Sequence, residues 1–167
     1  MKIQTLVIAT LALAPLLGAA DPTPDRQTAA AFERLKTLAG DWQGSGADGK
    51  SNLSYELIAG GATLLERFSS DKEPVMMTMY HLDKNRLLLT HYCAAGNQPR
   101  MLGSFNPETK ELKFEFLDAT NLANPAAGHM HNARIRFVDE NHFVSEWDFY
   151  ENGKKKFTET QEYARVR

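Results

Sequence analysis

From about residue 40 onward, apolar and polar positions alternate in short runs, and turn-forming groups interrupt them about every eight to twelve residues. A period of two marks half-buried β-strands, because successive side chains leave a strand on opposite faces. Ten strands are expected: Asp41–Ser45, Leu53–Ala59, Thr63–Ser69, Val75–Leu82, Arg86–Cys93, Arg100–Phe105, Glu111–Asp118, His129–Val138, His142–Tyr150 and Lys155–Val166. Asp83-Lys84-Asn85, Asn106-Pro107-Glu108, Asp139-Glu140-Asn141 and Glu151-Asn152-Gly153 carry tight-turn chemistry, so sequential strands should pair antiparallel. An open meander would leave two bare edges, and closure removes them. The pattern therefore predicts an all-β fold, an antiparallel up-and-down barrel of about ten strands.

Two segments before the strands read differently. Between Asp25 and Leu38 the apolar residues Ala29, Phe32, Leu35 and Leu38 recur at three- and four-residue steps, with Gly40 as a stop, which predicts one short amphipathic helix. Earlier still, Lys2 precedes an apolar run from Ile3 to Leu17, followed by the small residues Gly18, Ala19 and Ala20. That run of about 15 residues falls short of the ~20 that span a bilayer. It reads as a secretory signal peptide over residues 1–20, cut after Ala20, leaving residues 21–167 as one barrel domain. The expected location is secreted or periplasmic, with no membrane association once the leader is gone.

Composition narrows the partners. The 167 residues carry 19 Lys+Arg against 21 Asp+Glu, a net charge of -2. No cationic field or basic helix exists to meet a phosphate backbone, so nucleic acid is not an expected partner. Lys154, Lys155 and Lys156 follow Asn152 and Gly153 and read as a solvated hairpin tip. Cys93 is the only cysteine, so an internal disulfide is impossible even in an oxidising compartment.

A short helix leading into Leu38-Ala39-Gly40-Asp41-Trp42 resembles the entry to calycin-type barrels, with Gly40 and Trp42 matching their Gly-x-Trp. The resemblance implies that Trp42 lies across the closed end of the barrel with a last-strand arginine, Arg165 or Arg167, stacked over it. The whole chain is similar to a group of uncharacterised secreted bacterial proteins with a lipocalin-like fold. His91-Tyr92-Cys93, Gly96-Asn97-Gln98-Pro99-Arg100-Met101 and His129-Met130-His131 look like that group's. It also looks distantly like ten-stranded haem-binding barrels related to fatty-acid-binding proteins, without a residue that matches their haem-ligating histidine.

Candidate chemistry follows from strand parity. His91 and Cys93 share a face with Leu87 and Leu89, and strict alternation groups His129 and His131 with the inward Ala133, Ile135 and Phe137. Met130, Asn132, Arg134 and Arg136 are then expected outside. Imidazole and thiolate donors suit zinc or another transition metal, so His91, Cys93, His129 and His131 form a candidate metal site. The alternatives are histidines held by Asn97, Gln98 or Asn121 beside an inert buried thiol, and a Cys93 nucleophile activated by a cross-strand histidine. Arg100 could clamp a ligand carboxylate. The loops Ala94–Pro99 and Ala119–Gly128 are expected to be mobile lips at the barrel mouth.

These features favour binding over catalysis: a small, partly apolar ligand in a cavity lined by Trp147, Phe143, Phe114 or Phe116, and Leu89. Its polar contacts are expected from His91, Asn97, Gln98, Arg100, Asn121, His129 and His131. A metal-binding protein or metal-dependent enzyme, and a structural or partner-binding barrel with a filled core, are the competing classes. The oligomeric state is left open.

Overall fold

The computed structural model describes residues 25–47 and 49–166. The expected signal peptide, residues 1–20, lies outside the described residues, as does Arg167. The helix α1 spans Arg26–Lys36. Ten strands follow: β1 (Gly40–Gly46), β2 (Gly49–Ile58), β3 (Thr63–Ser70), β4 (Met76–Asp83), β5 (Arg86–Tyr92), β6 (Gln98–Asn106), β7 (Glu111–Thr120), β8 (His129–Phe137), β9 (His142–Glu151) and β10 (Lys154–Arg165). Each pairs antiparallel with the next, and β1 pairs with β10, so the sheet is a closed up-and-down barrel. Closure leaves no strand of the sheet with a wholly unpaired side among the described residues.

Asp25 caps α1, its carboxylate accepting from the Thr28 N–H at 2.7 Å. Ala31, Phe32 and Leu35 are the buried stripe of α1, which packs against β4, β5 and β6. The helix sits at the end of the barrel where β1 begins. There Trp42 is buried, its indole N–H donates to the Leu38 carbonyl at 2.8 Å, and its ring meets Phe143 edge-on. The guanidinium of Arg165 lies 4.1 Å over the indole, the cation–π contact implied by the resemblance. It also donates to the Ala39 and Thr37 carbonyls at 2.8 Å, satisfying groups at the helix exit. Gly40, at φ +121°, lets the chain turn under that guanidinium, and a Cβ there would stand 3.0 Å from Arg165 Nη1.

Inside the barrel, the half next to α1 is apolar: Leu35, Leu64, Leu87, Leu89, Leu112, Phe114 and Ile135 are all buried. The opposite half holds the buried polar residues Ser51, Glu66, Thr78, His91, Ser145 and Gln161. Inward positions near the helix thus make the core. Those toward the far mouth make the site.

Candidate functional site

Register builds the centre of the site. Tyr55 of β2 stands opposite Glu66 of β3, Glu66 opposite Thr78 of β4, and Thr78 opposite His91 of β5. Four inward side chains therefore form one row across four strands. Residues directly opposite on one face lie about 5 Å apart, within reach of a side-chain hydrogen bond. Thr78 Oγ1 donates to Glu66 Oε1 at 3.2 Å and lies 3.0 Å from His91 Nδ1. Tyr80, one inward position along β4, donates its hydroxyl to Glu66 Oε2 at 2.6 Å, and Tyr55 also hydrogen-bonds this carboxyl.

Burial sets the protonation of the row. It pushes the Glu66 carboxyl above its ordinary range, opposed by the donors Tyr80, Tyr55 and Thr78. The Tyr55 and Tyr80 phenols are pushed well up, first by burial and then by the Glu66 charge. His91 is pushed down to about 4 by burial, so its imidazole is neutral at pH 7.

Beside this row lies a cavity of about 30 Å³, room for a couple of waters or a ligand of a few heavy atoms. Its apolar lining is Leu53, Phe68, Met76, Met130 and Trp147. Its polar lining is Glu66, His91, Ser145, Glu159, Gln161 and Tyr163. The Trp147 ring packs 4.8 Å from the His91 ring, and its indole N–H donates to Ser145 Oγ at 3.1 Å. His91 is only 5% exposed, and its Nε2 is buried with no hydrogen-bond partner. Of the expected ligand-binding residues, His91 and Trp147 do meet at a cavity.

The others are placed elsewhere. Strict alternation fails on β8: the ladder to β9 runs Met130↔Phe149 and then Asn132↔Asp148, so a bulge at His131 takes one residue out of register. Met130, expected outside, lines the cavity, and neither His129 nor His131 does. The β7–β8 ladder stops at Glu115↔Asn132, although β7 continues to Thr120. The two histidines fill this splayed part of the wall. His131 stacks between Phe116 (4.5 Å) and Tyr150 (4.2 Å), and its Nδ1 lies 3.0 Å from His129 Nε2. His129 Nδ1 donates to the Ala127 carbonyl at 2.8 Å, so its Nε2 accepts from His131 Nδ1.

Among the described residues, no three His, Cys, Asp or Glu side chains come together so as to hold a metal ion. His91 lies at the interior row while His129 and His131 lie in the wall. Cys93 is half-buried, and burial raises its thiol pKa, the opposite of what a metal thiolate or a nucleophile needs.

Arg100 is engaged as well. Its guanidinium grips both carboxylate oxygens of Asp118 across the β6–β7 ladder, Nε at 2.6 Å, which holds that carboxyl below its usual range. It is therefore occupied by the protein itself.

The two long loops sit at the same mouth and are tied together. Asn97 Nδ2 donates to the Gly128 carbonyl at 2.9 Å, and Asn121 Nδ2 to the Gly96 carbonyl at 2.6 Å. Gln98 accepts from Thr120 Oγ1 at 2.8 Å. Asn97, Gln98 and Asn121 thus join lip to lip. The expected aromatic lining is revised in the same way: Phe143 packs on Trp42 and Tyr163, and Phe114 on Tyr80, both in the core rather than at the cavity.

Glu66, Thr78, Tyr80 and Met130 were not expected at the site. Glu66 had a readable signal, a carboxylate between the inward Leu64 and Phe68. Met130 had none, because a bulge leaves no mark in the hydrophobic pattern.

No family model matches the chain, and no curated protein matches it. Among solved structures, it is similar to the crystal structure of Rv2717c from M. tuberculosis, with a TM-score of 0.56 at 15% identity. The match covers 82% of this chain and 98% of that one. At that identity the likeness concerns the barrel fold alone.

Proposed function

We propose that this barrel holds a small, partly apolar molecule in the interior cavity beside His91 and Trp147. The observation that carries the reading is His91 Nε2, buried and unpartnered on a ring that lines the cavity. A buried polar atom left without a partner costs about 1–3 kcal/mol, which an occupant that hydrogen-bonds to it recovers. The mixed lining fits such an occupant: five apolar side chains on one side, and hydroxyl, amide, carboxyl and imidazole groups on the other. Size sets the class. Pockets for drug-sized ligands run to about 300–1,000 Å³, against about 30 Å³ here, so the occupant has only a few heavy atoms. The function is binding rather than catalysis, in a calycin-like barrel whose Gly40, Trp42 and Arg165 arrangement supports that kinship. The pattern of residues 1–20 supports export to a secreted or periplasmic location.

The small cavity and the packed core also favour a second reading, a filled barrel acting through its surface. A cleft of about 760 Å³ runs along the outer faces of β8, β9, β10, β1 and β2, past Arg136, His142 and Glu162. Crystals of protein isolated without added ligand separate the two. The binding reading expects non-water density within hydrogen-bond distance of His91 Nε2. A dry cavity or one closed by its own side chains contradicts it.

A further inference from the structure

The row Glu66–Thr78–His91 has a direction, and the direction decides what the cavity will accept. Thr78 owns one hydroxyl proton, and while Glu66 is ionised that proton goes to Glu66 Oε1. Thr78 Oγ1 can therefore meet His91 Nδ1 at 3.0 Å only by accepting, which puts the ring proton on Nδ1. A neutral imidazole has one N–H, so Nε2, buried without a partner on a ring that lines the cavity, is left as a bare lone pair. Glu66 and Glu159 add carboxylates to a lining that also carries Ser145, Gln161 and Tyr163.

Resting on the binding reading above, we propose that the cavity selects small molecules that donate a hydrogen bond to His91 Nε2, and that Glu66 fixes this polarity through Thr78. The titratable groups facing the row are Tyr55 from β2, Tyr80 from β4, and Glu159 and Tyr163 from β10. Tyr80 donates to Glu66 Oε2, which leaves Oε1 to accept from Thr78. Glu66→Gln reverses the row. With Tyr80 still donating to the amide oxygen, the amide N–H faces Thr78, Thr78 turns its proton to Nδ1, and Nε2 becomes a donor.

Long-range proton–nitrogen correlation spectra of the nitrogen-15-labelled full chain read the tautomer directly, and titration with isopropanol and acetone reads the selectivity. The two probes have the same heavy-atom count and differ in the donor. The wild type should show His91 with its proton on Nδ1 and bind isopropanol at least about tenfold more tightly than acetone, since acetone faces one lone pair with another. In Glu66→Gln the proton should move to Nε2 and the preference should fall to within about twofold. If Glu66→Gln fails to fold, Thr78→Val, which removes the relay hydroxyl at nearly constant volume, should likewise abolish the preference. A wild-type proton on Nε2, or an unchanged preference in the variant, overturns the proposal. Binding of both probes without preference contradicts the selectivity alone, and failure of both to bind contradicts the binding reading with it.

Discussion

Arg165 shows how one side chain can serve three elements. Its guanidinium stacks on the Trp42 indole and donates to two carbonyls at the exit of α1, joining the last strand, the first strand and the helix. Arg165→Ala removes a cation–π contact and three hydrogen bonds at once, the third from Nε to the Glu140 carbonyl at 3.4 Å. It should lower stability by about 1–3 kcal/mol in urea denaturation followed by tryptophan fluorescence. His91 acts through its proton. The unfolded chain protonates this residue near its ordinary value of 6.5, and the folded barrel only near 4. Stability present above pH 6.5 is therefore lost as pH falls toward 4, by about 3 kcal/mol from this group. Glu66 acts in the opposite sense: with its folded value raised, the barrel takes up that proton first and gains stability as pH falls through it. Denaturation at about pH 7 and about pH 4 should show wild type losing more stability than His91→Gln, and equal losses would sink the assignment.

Among the elements, β8 separates what the pattern discloses from what it hides. All ten strands are legible because alternation and turn chemistry agree at nearly every boundary, and α1 because its buried residues keep helical spacing. The single extra residue at His131 is not legible, and it reverses the face of everything on the His129 side of the bulge. His129 and His131 consequently fill the wall where β7 and β8 separate instead of pointing into the barrel. His131→Ala removes the ring between Phe116 and Tyr150, and should cost about 1 kcal/mol and quicken amide exchange in β8 near Met130. Unchanged exchange there would mean that the stack does not hold the gap. On β6, a Cβ at Gly103 would stand 2.6 Å from the Phe114 ring and 2.8 Å from Leu87. Gly103→Ala should therefore lower stability by about 1–3 kcal/mol in thermal unfolding, and an unchanged midpoint would show that those side chains move aside.

At the scale of the whole molecule, closure divides the interior into a helix-capped apolar half and a polar half at the mouth tied by Asn97 and Asn121. Alternation marks Glu66, His91 and Gln161 as inward polar residues. Their convergence depends on the registers of neighbouring ladders, which one strand's pattern does not specify. The cavity they leave, flanked by the methionines Met76 and Met130, is the centre of the functional account. NMR of the methionine and valine methyls and the tryptophan indoles during titration with isopropanol tests that account most directly. Saturable shifts at Met76, Met130 and the Trp147 indole, lost in His91→Phe, are the predicted result. Shifts confined to residues of the outer cleft, such as Val138 and Val144, would contradict it.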